Sequence, residues 1–338
     1  MSMSLQQRIE VLAKLGHHLE QSNEALDAII HKTYLYNKWL TAENTQLAIQ
    51  AFRAHFLDKN KLETWAAQYD ISENNTPQIV ALVLSGKTPL EGLQDIFNVF
   101  IAGHQSVIKL SDKNEYLIPH LISILAEIQP ESAAYFETIE RIKDIDRVIV
   151  THVDSATRYY ETYFEKYPNI IRKKRTSVAI LTGNESEEDW KKLGIDVFRF
   201  FGLSRQNPTK LYVPRGHDFA PLLEFWKRFE HLTHHDKFKN NFDYNYSLII
   251  MNGMPHISNG IVLMQEAEDL YARTSMLHYE YYDDINEVAQ KLQSQTDHIQ
   301  NIISNQPLGD LKTIPFGTTH YPNLNDYPNH IDTMKFLT

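Results

Sequence analysis

The sequence of 338 residues contains no cysteine. That excludes disulfides, thiolate metal sites and thiol nucleophiles. Glycine is sparse, at 12 residues, and no G-x-G-x-x-G occurs, so the usual dinucleotide fingerprint is missing. No run approaches ~18 uninterrupted apolar residues, so no membrane span is expected. Positive charge is in deficit: 33 basic against 43 acidic residues leave a net charge of -10. This balance argues against nucleic acid as the main partner. Met1–Glu20 lacks the apolar centre of a secretion signal, so a soluble cytoplasmic protein is expected. Asn74-Asn75-Thr76 matches a glycosylation sequon, which means little without such a signal.

What is present is enough to fold. Hydrophobic residues make up 42% and aromatics 11%, and the length suggests about two domains. Leu5, Ile9, Leu12 and Leu15 recur at helical spacing, and residues 4–70 read as helices, among them Thr41–Leu57 and Lys61–Tyr69. From Gln78 short apolar runs alternate with helical stretches. Strands fit Gln78–Leu84, Ser106–Leu110 and Arg147–Thr151; helices fit Leu90–Ala102, Asn114–Ile128 and Thr157–Phe164. That order implies a parallel, open α/β sheet. A second α/β block has strands over Val178–Thr182, Lys210–Val213, Tyr246–Met251 and Gly260–Met264. Its helices start at Glu187 and cover Asp218–Leu232 and Ile285–Ile303. The charged run Arg172–Arg175 marks a boundary near 170–177.

Single motifs carry little. Ser85-Gly86-Lys87-Thr88 ends like a phosphate-binding loop, but Ala81–Leu84 precedes it where the wide glycine loop belongs, so a strand-to-helix turn is expected. Pro89 then suits the first turn of the helix. His231 and His235 have the i, i+4 spacing of two metal ligands but no identified third. The Arg172–Arg175 run reads as a solvated face or an anion contact.

Several segments together resemble one family. Gln78–Lys109 resembles the core of the aldehyde dehydrogenase superfamily: an apolar strand, a turn with proline, a helix, then Gly103-His104-Gln105-Ser106-Val107-Ile108-Lys109. The run Tyr167–Ala179 is similar to a segment of the long-chain acyl-CoA reductases of the LuxC type. So are Phe200–Leu203, Asn207 with Lys210–Pro214, Ile314–Gly317 and the ending Asp332–Leu337. The resemblance spans nearly the whole chain.

It implies an aldehyde dehydrogenase-like α/β fold of two domains behind an N-terminal helical segment. The nucleotide-binding part with the helices would cover 1–175 and the catalytic part 176–310. A C-terminal segment, 311–338, would return toward the cleft between them. The family reduces a fatty acyl thioester to an aldehyde: a cysteine takes the acyl group, and NADPH delivers hydride. By this resemblance the cofactor is NADP(H), contacted by Lys109, Ser111, Thr151 and His152, and the substrate is acyl-CoA or another acyl thioester. The catalytic turn contains Ser204, Arg205 and Asn207.

The chain departs from the family in two places. Arg205 stands at the family's cysteine position, and a guanidinium stays protonated and cannot be that nucleophile. Thr151-His152-Val153 replaces a Thr-Gly-Ser turn, putting side chains where glycine lets a cofactor approach. The expected protein is therefore a reductase-family chain with impaired catalysis, a pseudoenzyme. One alternative is an active reductase that works without cysteine, with Arg205 as an anion anchor. The other is a structural or regulatory subunit, homo-oligomeric or bound to a different partner, with Tyr279–Tyr282 at an interface.

Overall fold

The computed structural model describes residues 3–21, 23–71, 76–153 and 156–338, without the side chains of His152 and Val153. Asn74 and Asn75 of the sequon lie outside the described residues. The chain forms two compact units: Met1–Lys174 with Tyr321–Thr338, and Arg175–His320.

The first unit opens with four helices, α1 (Leu5–His18), α2 (Glu24–Tyr36), α3 (Ala42–Phe56) and α4 (Lys59–Ala66). Each starts where the sequence supplies a cap. Ser4 and Gln7 close a capping box on α1, and Asn23, Thr41 and Asp58 accept amides at the other three. A sheet comes next: β1 (Ile79–Val83), β2 (Gln105–Lys109), β3 (Phe136–Thr138), β4 (Arg147–Val153) and β5 (Asn169–Lys173). Between them run α5 (Leu93–Ala102), α6 (Leu117–Ile128) and α7 (Thr157–Tyr163). The order is β3-β2-β1-β4-β5, all parallel. The chain leaves β1 toward β2 in one direction and β4 toward β5 in the other. The β1/β4 pair is thus the switch point, outside whose carboxyl ends such sheets bind ligands.

The helix after β1 starts later than its sequence suggests. Leu90 and Gly92 both have positive φ, 59° and 89°, so the helical turn begins only at Leu93 and Pro89 lies outside it. α5 is apolar almost all round and correspondingly buried. Its neighbour α1 turns Ile9, Leu12 and Leu15 into the same core.

The second unit holds β6 (Thr176–Ile180), α8 (Glu187–Phe198), β7 (Pro208–Pro214), α9 (Ala220–Trp226) and α10 (Asp236–Met251). Next come β8 (Ile257–Ser258), β9 (Leu263–Glu266), β10 (Met276–Tyr282), α11 (Ile285–Ser294), β11 (Ile299–Ile303) and β12 (Thr313–Ile314). The last helix, α12 (Thr333–Leu337), belongs to the first unit. The second sheet has the order β12-β11-β6-β7-β10-β9-β8, with only β8 antiparallel to its neighbour.

Several sequence expectations are corrected. Tyr246–Met251 is the end of α10, not a strand. Phe238, Phe242, Asn245 and Ile249 form one buried face, and that period outweighs the short apolar run. The helix over Ile285–Ile303 stops at Ser294, and 299–303 is a strand paired with β6 and β12. The helix over Asp218–Leu232 covers only 220–226 before tightening into a 3-10 segment, Lys227–His234. Tyr279–Tyr282 forms part of β10, between β7 and β9, and this placement leaves the expectation of an interface there as it was. No described helix is long and apolar enough to cross a membrane.

Candidate functional site

The carboxyl edge of the first sheet gathers the residues expected at a cofactor. β2 ends at the exposed Lys109, whose carbonyl accepts the Leu84 amide at 3.0 Å, tying together the ends of β1 and β2. Ser111 lies just beyond, its hydroxyl accepting the Lys113 amide at 3.2 Å. Thr151, 1% exposed, donates its hydroxyl to the Val83 carbonyl of β1 at 3.2 Å. β4 continues as strand through His152 to Val153, and its pairing with β5 shifts register between Val150 and Val153. The His152 side chain is outside the described set.

The turn after β1 is already filled. A side chain on Gly86 (φ 83°) would begin 3.0 Å from the Asn114 β-carbon and 3.2 Å from Ser111. One on Gly92 would begin 2.5 Å from a Leu84 methyl and 3.1 Å from the Thr151 methyl. The Glu91 carboxylate accepts both the Ser85 hydroxyl and the Lys87 amide, the latter at 3.1 Å. Neither glycine leaves an open cradle, and two donors of the turn face an internal carboxylate. This arrangement does not fit the phosphates of a dinucleotide.

The expected catalytic turn belongs to the second unit. It comes after three residues with positive φ, Phe200, Phe201 and Gly202. The two phenylalanines are strained there. Asn207, fully buried, organises the turn from its far end. Its carbonyl oxygen accepts the Ser204 amide at 2.9 Å. Its amide nitrogen donates to the carbonyls of Asp196 (2.6 Å) and Arg199 (2.9 Å) at the end of α8, and lies 3.1 Å from His320 Nε2. The Arg205 carbonyl accepts the Ser177 hydroxyl at 2.9 Å. The Ser204 hydroxyl accepts the Gln206 amide at 3.2 Å. Among the described residues no histidine or carboxylate hydrogen-bonds to it. Acyl transfer to serine needs such a base.

Two buried ionisable residues, unread in the sequence, lie against Asn207, Asp196 through its main-chain carbonyl and His320 through its ring. Asp196 accepts the amides of Gly317 (2.6 Å) and Thr319 (3.3 Å) and the Thr319 hydroxyl (2.8 Å). Burial outweighs these donors and pushes its carboxyl up to about 6. Burial pushes the His320 imidazole down to about 3. Their signal was faint: one aspartate late in a helix, and a histidine in an irregular tail.

The basic run divides. Arg172 is fully buried in β5 and grips Asp95 of α5 with two bonds of 2.5 and 2.7 Å, so it is neither a solvated residue nor an open anion contact. Arg175 reaches the Ile299 carbonyl, while Lys173 is exposed beside Glu161. His235 caps α10 through Nδ1, and among the described residues no group of three or more His, Cys, Asp or Glu could hold a metal ion.

No family model matches the sequence, and no curated protein matches it. Solved structures match the fold. A mutant of an aldehyde dehydrogenase from Bacillus cereus has a TM-score of 0.65 at 11% identity, over 91% of this chain and 73% of that chain. The acetylating aldehyde dehydrogenase from Geobacillus thermoglucosidasius gives 0.61 at 11%, over 90% and 77%. A 3,6-anhydro-L-galactose dehydrogenase in complex with NAP gives 0.62 at 13%, over 89% and 74%. The protein has the aldehyde dehydrogenase fold, as its sequence led us to expect. Identity this low carries the fold and not the activity.

Proposed function

We propose that this protein is a long-chain acyl-CoA reductase-type chain that binds an acyl thioester without reducing it. The observation that supports this reading is the turn 203–207. Arg205 occupies the place where the resemblance puts the nucleophile, and Ser204 next to it has no hydrogen-bonded base among the described residues. A serine without a base is a weak nucleophile at neutral pH. The NADP(H) that the resemblance implies is held weakly, because the turn after β1 meets it with Glu91.

The test mixes the protein with palmitoyl-CoA and NADPH. The expected result is heat of binding for the thioester, no aldehyde, and no acylated protein by intact mass. NADPH-dependent aldehyde formation that disappears in Ser204→Ala would overturn the reading.

A further inference from the structure

We infer that the turn after β1 is an anion-binding nook whose occupant is the protein's own carboxylate, Glu91, and that this carboxylate keeps phosphate-bearing ligands out of the switch-point crevice. The backbone forces the placement. Leu90 and Gly92 both take positive φ, and the corner they make carries Glu91 back over the Ser85–Lys87 turn. Glycine suits the corner, because a β-carbon at Gly92 would begin 2.5 Å from a Leu84 methyl and 3.1 Å from the Thr151 methyl, in addition to the strain of its positive φ. The carboxylate then takes the Ser85 hydroxyl and the Lys87 amide, the two kinds of donor that a phosphate oxygen takes in comparable turns.

A second observation marks the same place as built for a polar guest. Asn114, 3% exposed, makes no hydrogen bond through either side-chain polar atom among the described residues. Its β-carbon lies against Gly86, at the centre of that turn. Buried amides are almost always paired, so an unpaired one packed against this turn is polar capacity that the fold leaves unused beside Glu91's donors. Lys109 is exposed at the end of the neighbouring strand. The nook thus offers a hydroxyl and a main-chain amide, both taken by the Glu91 carboxylate, with the Asn114 side chain packed beside them. A phosphate oxygen brought to the same two donors would meet the Glu91 carboxylate as a like charge.

This inference rests on the position of the crevice in the fold and not on the acyl-thioester reading, so its readout is anion binding alone. Inorganic pyrophosphate and NADPH are titrated calorimetrically into the full-length protein, Glu91→Gln, Glu91→Ala and Glu91→Ala/Ser85→Ala. Melting curves confirm that each variant is folded, and Glu91→Gln keeps the side-chain volume should the alanine variant fail to fold. Removing the charge is expected to tighten pyrophosphate roughly tenfold or more over the natural chain, with NADPH changing in the same direction. Adding Ser85→Ala is expected to remove most of that gain. Equal binding by the natural chain and the folded Glu91 variants would overturn the proposal. So would a gain that survives Ser85→Ala undiminished.

Discussion

Asn207 and His320 meet side chain to side chain, with the amide nitrogen 3.1 Å from the imidazole Nε2. Burial keeps this imidazole neutral, pushing it down to about 3. The same amide nitrogen also holds the carbonyls at the end of α8, while the amide oxygen holds Ser204. Asn207 therefore shapes the turn 203–207 from within. Asn207→Ala leaves these buried groups unpaired and is expected to cost about 2–4 kcal/mol. Urea unfolding measures the cost, and a loss within about 0.5 kcal/mol would show that the turn does not depend on it.

The two ionisable groups around Asn207 should respond to pH with opposite signs. His320 titrates near 3 when folded and near 6.5 when unfolded. The unfolded chain therefore binds the extra proton, and stability is lost as pH falls from about 6.5, by roughly 3–5 kcal/mol at the limit. Asp196 titrates near 6 when folded and near 4 when unfolded. The folded chain holds that proton, so this contribution is present below about pH 4 and fades as pH rises through 6, by roughly 3 kcal/mol. The advantage of the natural protein over His320→Asn should shrink from pH 7 to pH 4. Its advantage over Asp196→Asn should grow across the same range. Flat differences in both series would mean that neither group is buried as described.

The fork between Arg172 and Asp95 predicts a strongly coupled pair. The side chains are 0% and 2% exposed, and Thr333 of α12 bonds to both. Arg172→Met strands a buried carboxylate and should cost about 3–5 kcal/mol. Arg172→Met combined with Asp95→Leu should cost less than Arg172→Met alone, because replacing both charges with apolar groups removes the unpaired one. Denaturant melts of the two singles and the double provide the cycle, and simple additivity would refute the coupling.

This pair also shows where the sequence was readable and where it was not. Patterns that act locally were plain. The α1 stripe, the cap at Thr41 and the strands β1 and β2 lie within a few residues of where spacing and turn residues placed them. Arg172 was hidden because its partner is 77 residues away. Four charges in a row look solvated, although strand alternation puts Arg172 on the same buried face as Ile170. Glu91 was hidden for another reason. Its role depends on positive φ at Leu90, and leucine gives no hint of that conformation. Asp196 and His320 are likewise joined by folding, through Asn207, and not by any spacing in the chain. The turn at 204–207 was located through the resemblance, while its internal bonding could come only from coordinates.

Restoring a thiol separates the loss of a nucleophile from the loss of a binding surface. In Arg205→Cys, a thiolate can attack the carbonyl of palmitoyl-CoA. A new protein thioester forms as the CoA thiolate leaves, and the electron count is unchanged. Thiol exchange of this kind is driven by the attacking thiolate fraction and by access. If the turn still lies where an acyl thioester binds, intact mass should show one palmitoyl group added to Arg205→Cys and none to the natural protein. With Glu91 still in the turn after β1, adding NADPH should release little aldehyde from that adduct. No adduct, from a folded variant whose thiol reacts with a small alkylating agent, would mean that acyl thioesters do not reach this turn. Rapid NADPH-dependent release of aldehyde would instead show that the cofactor surface is intact and that Arg205 alone silences the chemistry.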